Sequence, residues 1–152
     1  MANFLEAIGT VLSNEGGLVD NQNDSGGLTN FGISQESYPN VDIRALTPAS
    51  ATAIYFRDFW LFEGIASQAV ATKLFDSYVN MKHNAIKVAQ AVVRVTVDGG
   101  YGPATEAAIN AMDPQLFLGN FRAGLASYYQ EVVAHSPAEH VFLAGWLRRA
   151  AQ

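Results

Sequence analysis

Residues 15–32 read Glu-Gly-Gly-Leu-Val-Asp-Asn-Gln-Asn-Asp-Ser-Gly-Gly-Leu-Thr-Asn-Phe-Gly. In this stretch Glu15 meets two glycines that end an apolar helical pattern, and an acidic loop rich in glycine and asparagine follows. Loops of this length are usually functional parts of a domain. The loop also carries Asp24 and Thr29, so the stretch predicts a site that combines two carboxyl groups with a hydroxyl.

The helix before this loop places Glu15. Apolar residues recur on one helical face within residues 2–13, namely Phe4, Leu5, Ile8, Val11 and Leu12. Gly16 and Gly17 then end the helix, so Glu15 falls at its C-terminal end. Because the helix dipole disfavours an anion there, this position favours a protonated carboxyl group.

Two carboxyl groups in different environments suit the cleavage of a glycosidic bond. That reaction needs a protonated acid for the leaving oxygen and a second group that activates water or stabilises the sugar cation. Glu15 is predicted to be the acid. Asp24 lies among backbone N–H groups that favour its ionised form, and the Thr29 hydroxyl is predicted to orient the water.

Two other interpretations of the loop stay open from spacing alone. Acidic loops rich in glycine and asparagine are often simply solvated turns. Calcium binding by Asp20, Asn21, Asn23 and Asp24 is the other, although their spacing does not match an EF-hand loop and no glutamate follows at the required position.

The composition fits one compact domain and removes several chemistries. The chain has 152 residues, of which 49% are hydrophobic and 15% charged, enough to bury a substantial core. Cysteine is absent, which excludes disulfides, thiolate catalysis and cysteine-ligated zinc. A net charge of −5 and a pI near 5.0 argue against a nucleic-acid partner.

The N-terminal residues and the hydropathy bear on localisation. The first residues lack a basic region and reach Glu6 early, unlike a signal peptide, and no apolar run has the roughly 18 to 20 residues of a membrane helix. We therefore expect synthesis in the cytoplasm, without membrane insertion. A substrate outside the cytoplasm would then require some other means of export.

The remaining pattern predicts a mainly α-helical protein with a small irregular or β excursion near residues 18–33. Apolar periodicity, N-capping residues and prolines at first helical positions mark the helices. One helix is expected from Thr47-Pro48 to about Phe59, and two more at about 66–81 and 85–95. A tight turn at 97–105 precedes a helix that begins at Pro103. The last two helices are expected to begin at Asp113-Pro114 and at Ser136-Pro137.

The chain resembles the glycoside hydrolase family 108 muramidases, which are lysozyme-like peptidoglycan hydrolases and often phage endolysins that cause bacteriolysis. The resemblance rests on Glu15-Gly-Gly, on Asp24-Ser-Gly-Gly-Leu-Thr-Asn-Phe-Gly-Ile33, on Tyr38-Pro, and on Ile54-Tyr55 with Phe59-Trp60. The family's C-terminal predicted peptidoglycan-binding segment is similar to Val97-Asp-Gly-Gly-Tyr-Gly-Pro-Ala-Thr105 and Gly145-Trp-Leu-Arg-Arg149.

This resemblance implies a lysozyme-like helical fold that cleaves the β-1,4 bond between N-acetylmuramic acid and N-acetylglucosamine in bacterial peptidoglycan. It matches Glu15 to the catalytic glutamate. Asp24 and Thr29 resemble the partners of that glutamate in phage-type lysozymes, with a spacing one residue shorter. It also implies a glycosidase part at 1–90 and a peptidoglycan-binding-like part at 91–152, packed together as one compact unit. We expect a monomer without cofactor, made in the host cytoplasm and acting in the periplasm or on the cell wall after holin-type or other export. At Lys82 family members usually have glycine.

Four further residues are candidates for substrate binding. Tyr38 and Trp60 are predicted to stack on sugar rings, although aromatic residues of helical proteins more often lie in the core. Asp76 and Asn80 share a helical face and have no cation four residues away, which suits either a cleft or a solvated surface.

Metal and triad chemistries lack a motif in this sequence. His83, His135 and His140 do not have the spacing of a zinc site, and no serine is tied to a histidine by a known pattern.

Two functions other than a muramidase stay open. One is lytic transglycosylation of the same bond, which needs the acid but no water-activating aspartate. The other is a non-catalytic peptidoglycan-binding or virion module.

Overall fold

The computed structural model describes residues 1–20 and 28–152, and these residues are mainly α-helical, as predicted. Three short strands form an antiparallel sheet in the order β1-β2-β3. The strands are β1 Val19–Asp20, β2 Leu28–Asn30 and β3 Ile33–Ser34. The α-helices are α1 Phe4–Glu15, α2 Pro48–Phe59, α3 Gln68–Met81, α4 His83–Val93, α5 Pro103–Ala111, α6 Pro114–His135 and α7 His140–Ala151.

The chain forms two compact units. The N-terminal unit is Phe4–Trp60 and contains α1, the sheet and α2. The C-terminal unit consists of Met1–Asn3 together with Leu61–Gln152 and contains α3 to α7. The predicted division into a glycosidase part at 1–90 and a binding part at 91–152 concerns function and stays a prediction.

Helix α1 has the predicted amphipathic character and the predicted end. Its buried residues are Phe4, Ala7, Ile8 and Val11. Leu5, which the periodicity placed on the same face, is 73% exposed, so that part of the prediction is wrong. Glu15 is its last residue, and Gly16 follows with φ +75°, a left-handed conformation that glycine adopts at little cost. The glycine after Glu15 therefore ends the helix, as the sequence indicates.

The predicted N-terminal caps of α2 and α6 are confirmed. Thr47 Oγ1 accepts a hydrogen bond from the Ser50 N–H at 3.2 Å, and Ser50 Oγ accepts one from the Thr47 N–H at 2.9 Å. Asp113 Oδ1 accepts hydrogen bonds from the N–H groups of Gln115 and Leu116, both at 3.0 Å. Each side chain satisfies backbone donors that the first helical turn leaves without partners.

The predicted start of the last helix is wrong by one turn. Pro137–Glu139 forms a 3₁₀ turn, and α7 begins only at His140. Ser136 makes no side-chain hydrogen bond as a cap of this segment. Without that cap the proline opens a tight turn, and the α-helical pattern begins after it.

Gln90 organises the predicted tight turn at residues 97–105. Its side chain is 1% exposed, and its Nε2 donates to Asp98 Oδ1 at 2.8 Å and to the Gly100 carbonyl at 2.9 Å. Its Oε1 accepts the N–H groups of Asp98 and Gly99. The hydrogen bond from Gln90 lowers the pKa of the Asp98 carboxyl group. Gly99 has φ +80°, which supports its predicted role as a turn former.

Lys73 is a buried cation in the C-terminal unit. It is 6% exposed, and its Nζ donates to the Arg149 carbonyl at 2.6 Å. Burial lowers the pKa of Lys73 from 10.5 to about 8. The negative charge of Asp76 opposes this shift, whereas the positive charges of Arg122 and Arg149 add to it. Below about pH 8 the folded protein therefore holds a buried, positively charged Lys73. Water solvates this ammonium group better in the unfolded chain, so the charge lowers the stability of the fold.

We expect the stability of wild type relative to Lys73→Met to rise between about pH 8 and pH 10.5. In this window the unfolded chain binds more protons at Lys73 than the folded protein does, so a higher pH favours folding. The difference in unfolding free energy should change by about 2 kcal/mol across the window, measured by urea denaturation at each pH. Lys87→Met, at an exposed lysine of α4, controls for the loss of one positive charge. A pH-independent difference for Lys73→Met would contradict this.

Candidate active site

Glu15 lies over Gly32, a glycine of the hairpin turn between β2 and β3. A Cβ atom added to Gly32 would stand 2.5 Å from Glu15 Oε2 and 2.9 Å from its Cγ. Real Cβ atoms do not approach other heavy atoms so closely, so the glutamate occupies the space that the missing side chain leaves. Glu15 itself is half-buried, with its carboxyl group at the junction of α1 and the hairpin.

Gly32 belongs to the two-residue turn between β2 and β3. Asn30 pairs with Ile33 across this turn, which leaves Phe31 and Gly32 as its two central residues. Both have positive φ angles, +51° and +74°, as tight hairpin turns that follow the strand twist require. Gly32 accepts this conformation readily, whereas Phe31 does so at a cost in strain.

Tyr55 of α2 fixes this turn from the other side. It is 1% exposed, and its hydroxyl donates to the Phe31 carbonyl at 2.8 Å. The same hydroxyl lies 2.8 Å from the position of an added Cβ at Gly32. The end of α1, the hairpin turn and α2 therefore meet within a few ångströms of the Glu15 carboxyl group.

The sequence interpretation did not assign Tyr55 to the site. A tyrosine on the buried face of a predicted helix needs a partner for its hydroxyl, and that need was the available signal. Its partner is the backbone of a turn 24 residues earlier in the chain, which no local pattern reveals.

Of the other two catalytic candidates, the structure describes Thr29 but not Asp24. Thr29 is the central residue of β2, half-buried, and pairs in register with Val19 and Ser34. Asn30 anchors the strand, because its Nδ2 donates to the carbonyls of Ile43 and Leu46 at 3.1 and 3.4 Å. Asp24 lies outside the described residues. The roles of Asp24 and Thr29 stay predictions.

Tyr38 and Trp60 belong to the same unit as Glu15. The Tyr38 hydroxyl donates to Asp58 Oδ2 at 2.8 Å; partial burial and this hydrogen bond raise its pKa to about 12, so the phenol stays neutral. Trp60 is half-buried and packs edge-to-face on Phe4, with ring centroids 5.5 Å apart. Their contact with substrate stays a prediction.

Asp76 and Asn80 belong to the C-terminal unit. Asp76 is 2% exposed and accepts hydrogen bonds from Arg149 at 2.9 and 3.2 Å, which gives its carboxylate a structural role. Asn80 is exposed and donates to the Tyr129 hydroxyl at 2.6 Å. Substrate contact by Asp76 and Asn80 stays a prediction.

Metal binding and membrane insertion can be judged for the described part of the chain. Within residues 1–20 and 28–152, no group of three or more His, Cys, Asp or Glu side chains is placed to hold a metal ion. None of the helices in those ranges combines the length and the apolarity needed to cross a bilayer.

Comparison with known proteins gives two adjacent family matches and a structural neighbour. Residues 8–81 match the family described as glycosyl hydrolase 108, and residues 84–151 match the one described as predicted peptidoglycan domain. The structure of SagA from Brucella abortus superposes with a TM-score of 0.81 at 27% identity, covering 97% of this chain and 89% of that one. No curated protein sequence matches the chain.

Proposed function

The chain belongs to the glycosyl hydrolase 108 family, and we propose that it is a muramidase, cleaving the β-1,4 bond between N-acetylmuramic acid and N-acetylglucosamine. The two matched domains make it a glycoside hydrolase of lysozyme-like fold that acts on peptidoglycan. The observation that carries the proposal is the placement of Glu15. Its carboxyl group lies at the end of α1, in the glycosyl hydrolase domain, on a turn that Tyr55 holds.

We assign Glu15 the role of general acid. Its proton goes to the glycosidic oxygen as the bond from that oxygen to the anomeric carbon breaks. Packing against Gly32 limits the positions of the carboxyl group, which lowers the entropy cost of reaching the reactive geometry.

Asp24 and Thr29 complete the proposed mechanism. The oxygen of a water molecule then bonds to the anomeric carbon. Asp24 takes the proton of this water or, alternatively, stabilises the positive sugar while the Glu15 carboxylate formed in the first step takes that proton. Thr29 is proposed to orient that water through its hydroxyl. The half-buried position of Thr29 in β2, two residues before Phe31 and three before Gly32, is compatible with this role.

The products distinguish hydrolysis from lytic transglycosylation of the same bond. We expect digestion of purified sacculi in heavy-oxygen water to yield reducing muramic acid ends that carry one heavy oxygen, detected by mass spectrometry. A transglycosylase would instead form anhydro-muramic ends without an oxygen from water. Anhydro ends as the main product would replace the muramidase proposal while leaving Glu15 as the acid.

The anomeric form of the first product reports the arrangement of the two carboxyl groups. Retention of configuration requires a separation of about 5 to 5.5 Å, and inversion about 6.5 to 9.5 Å. Nuclear magnetic resonance of the fresh digest, recorded before mutarotation, distinguishes the two forms. Retention would assign Asp24 the role of nucleophile or stabiliser, and inversion would assign it the role of base.

A further inference from the structure

The C-terminal unit contains a groove that the proposed catalytic residues do not use. Two cavities of about 280 and 420 Å³ lie next to each other and share Asn84 and Tyr128 in their walls. Residues of α3, α4, α6 and α7 line the smaller one, including Asn80, Tyr129 and Trp146. We call this pair of cavities the helical groove. Together they have the volume of a typical small-molecule site.

Two amide–phenol pairs line the helical groove. Asn80 Nδ2 donates to the Tyr129 hydroxyl at 2.6 Å, and Asn84 Nδ2 donates to the Tyr128 hydroxyl at 2.8 Å. Each tyrosine oxygen accepts, so its own proton is left to donate, and each asparagine keeps Oδ1 as an acceptor. No described residue donates to either Oδ1. The groove therefore offers neutral donors and acceptors in matched pairs.

Aromatic rings form another wall of the groove. Trp146 stacks on Tyr129, with centroids 5.1 Å apart and planes 24° apart. Phe142 lies outside the lining of both cavities and stacks on Trp146 with centroids 5.8 Å apart. Such rings present apolar faces beside polar edges, which suits ligands with both kinds of surface.

The backbone at the groove is strained. Lys82 joins α3 to α4 with φ +53° and ψ −132°, although lysine has a side chain that disfavours positive φ. Strain of this kind costs about 1 to 3 kcal/mol and is concentrated at ligand-binding positions. Lys82 also lines the smaller cavity.

We propose that the helical groove binds an N-acetylhexosamine unit of the peptidoglycan glycan chain. The acetamido group of such a sugar offers one N–H donor and one carbonyl acceptor, which the Asn Oδ1 atoms and the tyrosine hydroxyls can satisfy. Its C–H face matches the stacked rings. The inference rests on peptidoglycan being the substrate, and it places a glycan-binding site in the unit that does not contain Glu15.

The stem peptide of peptidoglycan is the competing ligand. It carries carboxylates and an amine, which would require charged partners. The smaller cavity is lined by one charged residue, Lys82, beside the amide–phenol pairs and Trp146, and Lys87 and Glu131 line only the larger cavity. Lys82 can pair with a carboxylate, but none of the residues that line the smaller cavity is acidic, so the amine of a stem peptide lacks a charged partner there. The amide–phenol pairs and the aromatic rings favour the sugar.

Binding can be measured without turnover in isotope-labelled Glu15→Gln protein. We expect chitotetraose, a linear oligomer of N-acetylglucosamine, to cause saturable shifts in the side-chain amide signals of Asn80 and Asn84 and in the Trp146 indole signal. Adding Asn84→Ala or Tyr128→Phe should weaken this binding about tenfold. Asn120→Ala, at an exposed asparagine of α6 outside the groove, should change it less than about twofold.

The outcomes separate this proposal from the catalytic one. Absence of groove shifts, equal affinities of the Asn84→Ala and Asn120→Ala variants, or shifts with a stem tripeptide but not with chitotetraose would overturn it. Tyr128→Phe removes only a hydroxyl, so it tests the groove even if Asn84→Ala does not fold. A failure of the Glu15 assignment would appear instead as lytic activity of Glu15→Gln protein and would leave the groove affinity unchanged.

Discussion

Glu15→Gln is expected to abolish turbidity clearing of peptidoglycan suspensions, with a loss of about a thousandfold in rate. Glutamine keeps nearly the same shape over Gly32 but has no proton to give to the glycosidic oxygen. The helix dipole at the end of α1 no longer opposes a charge after this change, so stability should be equal to or slightly above that of wild type.

The experiment compares initial clearing rates of Glu15→Gln and Glu6→Gln at equal concentration, with thermal unfolding of both. Glu6 is an exposed glutamate in the first turn of α1, whereas Glu15 is the last residue of that helix. Glu6→Gln therefore removes one negative charge at the opposite end of α1 and should leave activity intact. Substantial clearing by Glu15→Gln protein with a normal unfolding curve would remove Glu15 from the catalytic role and with it the proposed mechanism.

Much of the helical fold was predictable because its signals are local. Thr47-Pro48 and Asp113-Pro114 cap and start α2 and α6 through contacts within three residues, and the glycines after Glu15 end α1. The start of α7 was misplaced because Ser136-Pro137 has the same local appearance as these caps. Only the absence of a hydrogen bond from its side chain distinguishes it.

The site was less predictable because its contacts join distant parts of the chain. Arg149 binds Asp76 across 73 residues, so a search for a cation four residues away could not find this partner. Tyr128 and Tyr129 likewise meet their asparagines 44 and 49 residues away. Helical periodicity shows which face of a helix is buried, but it does not show which other helix that face meets.

The position of Lys82 shows how structure explains a departure from a family pattern. The resemblance placed a glycine here in related chains, and the structure gives this residue φ +53°, where glycine is favoured. The sequence alone showed that a lysine replaces the glycine. The helices predicted at about 66–81 and 85–95 also placed residue 82 between two helices, as the structure does. The sequence did not show that this residue lies in the wall of the helical groove.

Gly32→Ala is expected to lower lytic activity about a hundredfold while leaving the protein folded. The added methyl group would stand 2.5 Å from Glu15 Oε2 and 2.8 Å from the Tyr55 hydroxyl, so the carboxyl group must move away from the turn. A displacement of about 1 Å is enough to cost about two orders of magnitude in rate. The positive φ of residue 32 should also reduce stability by about 1 to 2 kcal/mol, measured by urea denaturation.

Gly16→Ala separates the effect of backbone strain from the effect of contact with Glu15. Gly16 has nearly the same φ as Gly32, +75° against +74°, but among residues 1–20 and 28–152 a Cβ there meets no atom within 4 Å outside its neighbours in the chain. Its alanine variant should therefore lose similar stability from strain and keep activity within a few-fold of wild type. If both variants lose activity equally, strain in the fold is the cause. A selective loss in Gly32→Ala shows that activity depends on the position of the Glu15 carboxyl group over the turn.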